Sequence, residues 1–165
     1  MPDKRIRIVP ATVEDLPLIL GFIKELAEYE RLAHEVVATE TILRETLFGP
    51  TAYAEVVLAQ YDELSAGYAL FFHSFSTFLG RPGLYLEDLY VRPTLRGKGI
   101  GRALLAHLAK IAVERKCGRL EWAVLNWNES AIGFYRSLGA QPMDTWTVHR
   151  LTGDPLTKLA ALPSP

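Results

Sequence analysis

Residues 84–128 read LYLEDLYVRPTLRGKGIGRALLAHLAKIAVERKCGRLEWAVLNWN, and the order of patterns within this stretch decides the fold. Tyr85 to Val91 is rich in aromatic and β-branched residues and alternates in part, as a strand does. Pro93 ends it, since proline has no N–H for a sheet ladder. Gly97, Gly99 and Gly101 follow at two-residue spacing, where glycine admits positive φ or a close ligand approach. Ile100, Leu104, Leu108, Ile111 and Ala112 then recur at threes and fours, which predicts an amphipathic helix. Lys110, Arg115 and Lys116 fall late in it, where the helix dipole favours cations, and Gly118 is expected to cap it. Arg119 to Leu125 reads as a further strand with Asn126-Trp127-Asn128 as its exit. The stretch is strand, glycine-rich turn, helix, strand.

A glycine-rich turn feeding a helix N-terminus suits an anion, because N–H groups without helical partners and the dipole both favour negative charge. Between Arg92 and Arg119 stand eight basic residues (Arg92, Arg96, Lys98, Arg102, Lys110, Arg115, Lys116, Arg119) against one acid, Glu114. That points to a multiply charged phosphate ligand, although a plain strand-to-helix turn would use the same glycines. The loop is neither G-x-x-x-x-G-K-S/T nor a first-turn dinucleotide fingerprint.

At 165 residues with 49% apolar content and a formal charge of −1, the chain is expected to form a single domain, 1–165, with a weakly ordered tail from about 152. These values exclude a disordered polycation and a typical nucleic-acid binder. Cys117 is the single cysteine and cannot form an internal disulfide, which suits a reducing, cytoplasmic setting. No apolar run follows Met-Pro-Asp-Lys-Arg, so no signal peptide is expected, and no 18-residue apolar run suggests a membrane span. His34, His73, His107 and His149 lack metal-ligand spacing, so no metal site is expected. His73 could serve as a base, but a lone histidine among aromatics is more often structural.

In chain order, Arg5 to Val9 reads as a strand. Thr12, with Asp15 three residues on, predicts a capped helix over Val13 to Arg31, and Thr39 a second one stopped by Gly49-Pro50. Tyr53–Gln60 and Ala66–Phe75 read as a hairpin turning at Asp62-Glu63, and Gly80-Arg81-Pro82-Gly83 turns the chain into the next strand. Ser130 to Leu138 predicts a short helix capped by Gly139, Trp146 to Leu151 a last strand, Leu156 to Leu162 a weak helix and 163–165 a frayed end. The sum is a mixed α/β sheet flanked by helices. Glu14 to Glu45 carries eight acids against three bases. That fits either a solvated helix face or a wall for a cationic substrate. Glu87 and Asp88 are adjacent on a strand and are expected to point to opposite faces.

Arg96-Gly97-Lys98-Gly99-Ile100-Gly101 fits Q/R-x-x-G-x-G/A and resembles the acetyl-CoA pyrophosphate loop of the GCN5-related N-acetyltransferase (GNAT) superfamily. With Tyr-Leu-Glu-Asp upstream and Trp-Asn-Glu-Ser-Ala-Ile-Gly-Phe-Tyr and Leu138-Gly139-Ala140 downstream, the chain is similar to the diamine (spermidine/spermine) N-acetyltransferases, including their thialysine-acetylating branch. The resemblance implies a GNAT fold in which the strands matching Leu84–Val91 and Arg119–Leu125 splay apart around the pantetheine arm. It implies acetyl-CoA as co-substrate, no metal, and direct transfer of acetyl to a primary amine of a small amine, polyamine or thialysine-like amino acid. A peptide or protein amine, or a non-catalytic acyl-CoA-binding role, are the other readings.

By the same match, Glu87 deprotonates the acceptor and Tyr135 protonates the departing thiolate. Without the match, Tyr135 would read as a core aromatic and Glu87 would compete with a structural role. Leu89 (as oxyanion donor), Tyr90, Val91, Arg96, Gly97, Lys98, Gly99, Ile100, Gly101, Arg102, Asn128, Ser130 and Tyr135 would hold the acetyl-CoA. Glu28, Tyr29, Glu30, Glu87 and Asp88 would meet the substrate. His73 to Leu79 carries no acid, which disfavours a long polyamine. The relatives are homodimers, and the resemblance implies the same here, with no nucleic-acid or membrane partner.

Overall fold

The computed structural model describes residues 5–163. Met1–Lys4, at the expected signal-free start, and Ser164–Pro165, in the expected frayed end, lie outside the described residues. The chain divides after Leu125 into two compact units.

The first unit holds β1 (Ile6–Pro10), α1 (Leu16–Tyr29), α2 (Glu40–Phe48), β2 (Glu55–Tyr61), β3 (Leu64–Ser76), β4 (Arg81–Val91), α3 (Ile100–Glu114) and β5 (Leu120–Trp122). The strands form one sheet in the order β1-β2-β3-β4-β5. The first four are antiparallel neighbours and β5 runs parallel to β4. This is the expected mixed α/β arrangement.

Local chemistry sets the element ends. Asp15 accepts hydrogen bonds from the Thr12 backbone N–H at 2.8 Å and its hydroxyl at 3.1 Å. The predicted first helix opens there as a 3-10 turn over Val13–Asp15, and its α-helical part ends at Tyr29, short of the expected Arg31, whose φ is 63°. Thr39 Oγ1 accepts from Ile42 N–H as the expected cap of α2. Asp62 and Glu63, both at positive φ, join β2 to β3, the handedness a two-residue hairpin turn demands. β4 begins at Arg81, so Arg81 to Gly83 belong to the strand, and the turn before it spans 77–80. Gly118 does not cap α3; Lys116, at φ 57°, takes the left-handed conformation. Gly118 instead donates to Pro82 O at 2.8 Å, and a Cβ there would lie 2.7 Å from Leu79 Cδ1.

Two apolar layers hold the sheet. On one face Leu16, Ile19, Phe22 and Leu26 of α1, with Leu43 and Leu47 of α2, pack on Val56, Leu58, Tyr68 and Tyr90. The Phe22 and Tyr68 rings stack with centroids 5.4 Å apart. The opposite face, with Ala69, Phe71, Leu84 and Leu86, is covered by α3 through Ile100, Leu104 and Leu108, all buried. Burying each such large side chain contributes on the order of 1.5–3 kcal/mol.

The second unit contains α4 (Glu129–Ser137) and α5 (Gly153–Ala160). Gly139, at φ 88°, follows α4 as expected of a capping glycine. Trp146 to Leu151, expected to be a strand, has no strand among the described residues. Its alternation has no sheet face to meet within this unit, and Trp146 and Val148 are 76% and 86% exposed. The tail expected from about 152 forms α5, three residues ahead of the expected helix start.

Candidate active site

The glycine loop connects β4 to α3. Gly97 and Gly99 have φ of 77° and 81°, values that a side-chain-bearing residue adopts at a cost. The first helical bond of α3 runs from Ala103 N–H to Gly99 O at 2.9 Å. The N–H groups of Ile100, Gly101 and Arg102 therefore precede the ladder, at the positive end of a four-turn helix. Nothing lies within 4 Å of a Cβ built on Gly97 or Gly99, so the loop's outer surface is open.

The basic side chains of the loop brace it. Arg96 Nε donates to Val91 O at 2.8 Å, and its guanidinium lies 4.5 Å from the Tyr29 ring centroid and 5.7 Å from that of Tyr90. Lys98 Nζ sits 5.2 Å from the Tyr61 ring centroid. Arg92 grips both oxygens of Glu25 and donates to Ser65 O, which ties α1 to the end of β4. Burial and the Glu25 charge raise the Tyr90 hydroxyl pKa. Tyr29, assigned to the substrate by resemblance, is thus part of the loop's support. The backbone N–H groups of Ile100, Gly101 and Arg102 stand without helical partners at the start of α3.

β4 and β5 part company just before this loop. Their ladder comprises Leu84↔Leu120, Tyr85↔Glu121 and Leu86↔Trp122. β5 was expected to reach Leu125 but ends at Trp122, while β4 runs on through Leu89, Tyr90 and Val91. Leaving the ladder opens a strand edge whose backbone groups can bond an extended amide chain, as an added strand would.

The acids come from the same part of β4. Leu70 pairs with Asp88 but Phe71 pairs with Leu86, so Glu87 is the extra residue of a β-bulge. Leu70 and Phe71 are adjacent and point to opposite faces; their partners Asp88 and Leu86 do the same. The simple alternation expected for Glu87 and Asp88 is therefore broken. Burial raises the phenol pKa of both Tyr68 and Tyr85, two residues on the Asp88 face of the sheet, and the Glu87 charge adds to the rise in each. Tyr68, fully buried, donates from its hydroxyl to Asp88 Oδ2 at 2.6 Å. Burial raises the Asp88 pKa while the Tyr68 hydrogen bond opposes the rise. Burial and the nearby Asp88 charge raise that of Glu30. Asp88 is hydrogen-bonded to the Tyr68 hydroxyl, and the charges of Glu30 and Glu87 also reach it.

The one remaining predicted acid, and the histidine weighed as a base, are placed elsewhere. Glu28 lines a small cavity with Lys24, Ala33 and Val36. His73 lies 3.5 Å from an Arg115 nitrogen, beside the ion pair of Arg115 with Glu55, which fits its structural reading. Among the described residues no group of three His, Cys, Asp or Glu could hold a metal ion. No described helix is long and apolar enough to cross a membrane. Tyr68 was missed from the sequence; a hydroxyl within the apolar run of β3 was the available signal.

Within the second unit, Asn128 Oδ1 accepts from Ala131 N–H at 3.3 Å and caps α4, a structural duty beside the ligand contact expected of it. Ser130 opens the helix. Tyr135 lies on α4 with its ring 5.5 Å from that of Phe134, and its carbonyl accepts from Ala140 N–H at 3.2 Å.

Comparison with known proteins sets this geometry in context. The sequence model of the acetyltransferase (GNAT) family matches residues 22–140. A thialysine N-epsilon-acetyltransferase of Bos taurus is 39% identical over 155 residues, covering 86% of this chain and 89% of its own. An L-ornithine N5-acetyltransferase of Arabidopsis thaliana is 34% identical, covering 94% and 88%. The solved structure of an integron cassette protein of V. cholerae superposes with a TM-score of 0.80 at 30% identity, covering 97% of this chain and all of that one.

Proposed function

The chain belongs to the acetyltransferase (GNAT) family, and from that membership we propose that it acetylates a small amine carrying a second cationic group, of the thialysine or ornithine kind. The observation that carries this reading is the set of carboxylates, Glu87 and Asp88 at the β4 bulge and Glu30 at the end of α1, whose charges all act on the Tyr68 hydroxyl. A face so acidic suits a dication and repels an anion.

The co-substrate is acetyl-CoA, which supplies the acetyl thioester. The open loop surface over Gly97 and Gly99 and the β4 edge beyond Leu86 fit a pyrophosphate and an extended amide arm. In this reading the N–H groups of Gly97 through Arg102 hold the phosphates, and Leu89 to Val91 hold the arm. The Leu89 N–H stabilises the oxyanion. Asn128 and Ser130, at the start of α4, are assigned to the same ligand.

The acceptor arrives protonated: an alkylammonium has a pKa of about 10.4, so about one molecule in a thousand or fewer is neutral at pH 7. Holding the reacting nitrogen between carboxylates would raise that value further. Glu30 and Asp88 therefore suit the non-reacting ammonium, and the exposed Glu87 takes the proton from the attacking one. Tyr135 gives a proton to the departing thiolate, since a phenol and an alkyl thiol titrate within about two units of each other. No covalent enzyme intermediate is needed. A long polyamine is a poorer fit, because His73 to Leu79 offers no further acid along its path. The reading takes residues 1–165 as one catalytic domain that works as a cytoplasmic homodimer.

The test is an initial-rate panel in which CoA release is followed with ornithine, lysine, thialysine, putrescine, spermidine, spermine and a peptide amine. The reading expects kcat/KM to be highest for a small amino acid or diamine. A peptide amine preferred over all of them would overturn it.

A further inference from the structure

Building on that reading, we propose that Tyr68 is a specificity-determining positioning residue: its buried hydroxyl fixes the Asp88 carboxylate so that the acceptor's second ammonium is selected. Tyr68 touches neither reacting atom. Its ring is fully buried and stacked on Phe22, with an interplanar angle of 4°, which holds the hydroxyl oxygen 2.6 Å from Asp88 Oδ2.

The reason such a residue is needed lies in the bulge. An extra residue in one strand loosens the local ladder and re-aims the side chains around it. Asp88 is the first residue after the bulge and stands opposite Leu70, which has no group to hold a carboxylate. The hydroxyl two residues earlier on β3 supplies that hold. It occupies one oxygen of Asp88, leaving the other to a cationic ligand, and it favours the ionised form of a carboxyl that burial would neutralise. Glu30, at the end of α1, adds its charge nearby. Two cations near this side of the sheet are engaged with other groups: Arg92 pairs with Glu25 and Arg96 lies over Tyr29 and Tyr90.

Tyr68→Phe tests this, because it keeps the stacked ring and removes the hydroxyl alone. The probes are cadaverine and n-pentylamine, equal in chain length and differing by one ammonium. The ratio of their kcat/KM values should fall about tenfold in the variant, the scale of one hydrogen bond to a charged group. The loss should appear in KM for cadaverine, with acetyl-CoA affinity and thermal unfolding near wild type. In an Asp88→Asn background, Tyr68→Phe should change the ratio no further. An unchanged ratio, or equal losses for both amines, would overturn the proposal while leaving the acceptor class intact. A wild-type ratio near one would overturn the reading of the acidic face, and this proposal with it.

Discussion

Leu86 and Asp88 stand two residues apart on β4, yet they face opposite sides of the sheet, because Glu87 is inserted between them as a bulge. Leu86 goes to the α3 layer and is buried, while Asp88 meets the hydroxyl of Tyr68 on the α1 layer. The bulge lies immediately after the last rung between β4 and β5. One irregularity therefore sits where the strand edge opens and where the acids gather.

Glu87→Gln removes a proton acceptor while keeping shape. General-base catalysis is typically worth about 10²–10⁴-fold, so kcat should fall by roughly a hundredfold or more at neutral pH. Acetyl-CoA affinity by calorimetry should stay close to wild type. A variant with unaltered kcat would take Glu87 out of the base role.

Tyr135→Phe should also lower turnover without weakening acetyl-CoA binding. A better leaving group than the CoA thiolate needs less help from an acid, so an activated thioester donor should restore much of the lost rate. Unchanged turnover with acetyl-CoA at saturation would assign Tyr135 to packing with Phe134.

Gly99 has φ 81°, and a β-branched residue there is strained by on the order of 1–3 kcal/mol. Its side chain would also project into the open surface over the loop. Gly99→Val should weaken CoA binding by at least tenfold in a calorimetric titration, with secondary structure preserved by circular dichroism. Wild-type affinity would place the pyrophosphate elsewhere.

The Glu25–Arg92 pair links α1 to β4, with Arg92 also 4.8 Å from the Phe22 ring centroid. Arg92→Ala should destabilise the fold by about 1–2 kcal/mol in urea unfolding at pH 7, the sum of a partly screened ion pair and a cation–π contact. The Arg92 hydrogen bond holds the Glu25 pKa below its ordinary 4.5. A lowered carboxylate contributes stability above the unfolded value and loses it as pH falls through the folded one. The difference between wild type and variant should therefore narrow as pH is taken down from about 4.5. A gap that stays constant with pH would assign the effect to packing alone.

The fold was legible where burial and backbone chemistry agree with local pattern. The spacing of Ile100, Leu104 and Leu108 gave α3, and the glycines gave a loop with two positive φ values. Asp62-Glu63 marked the hairpin and Thr39 the cap. The bulge at Glu87 was not legible, because it is a property of pairing with β3 rather than of β4's own residues. The same holds for the Tyr68–Asp88 bond, which joins residues twenty apart through register. Trp146 to Leu151 misled for the opposite reason: it alternates like a strand, but its own unit holds no strand among the described residues for it to pair with. Arg96 and Lys98 were expected beside a pyrophosphate mainly through backbone donors, and their side chains rest on Tyr29, Tyr90 and Tyr61, a placement that charge alone does not foretell.

The most direct test of the central claim compares the best acceptor found in the rate panel with its analogue in which the second amine is replaced by a methyl group. The wild-type protein should show kcat/KM at least tenfold higher for the dication, with the difference shrinking as salt is raised. Equal values at low salt would contradict recognition of a second cation by Glu30 and Asp88.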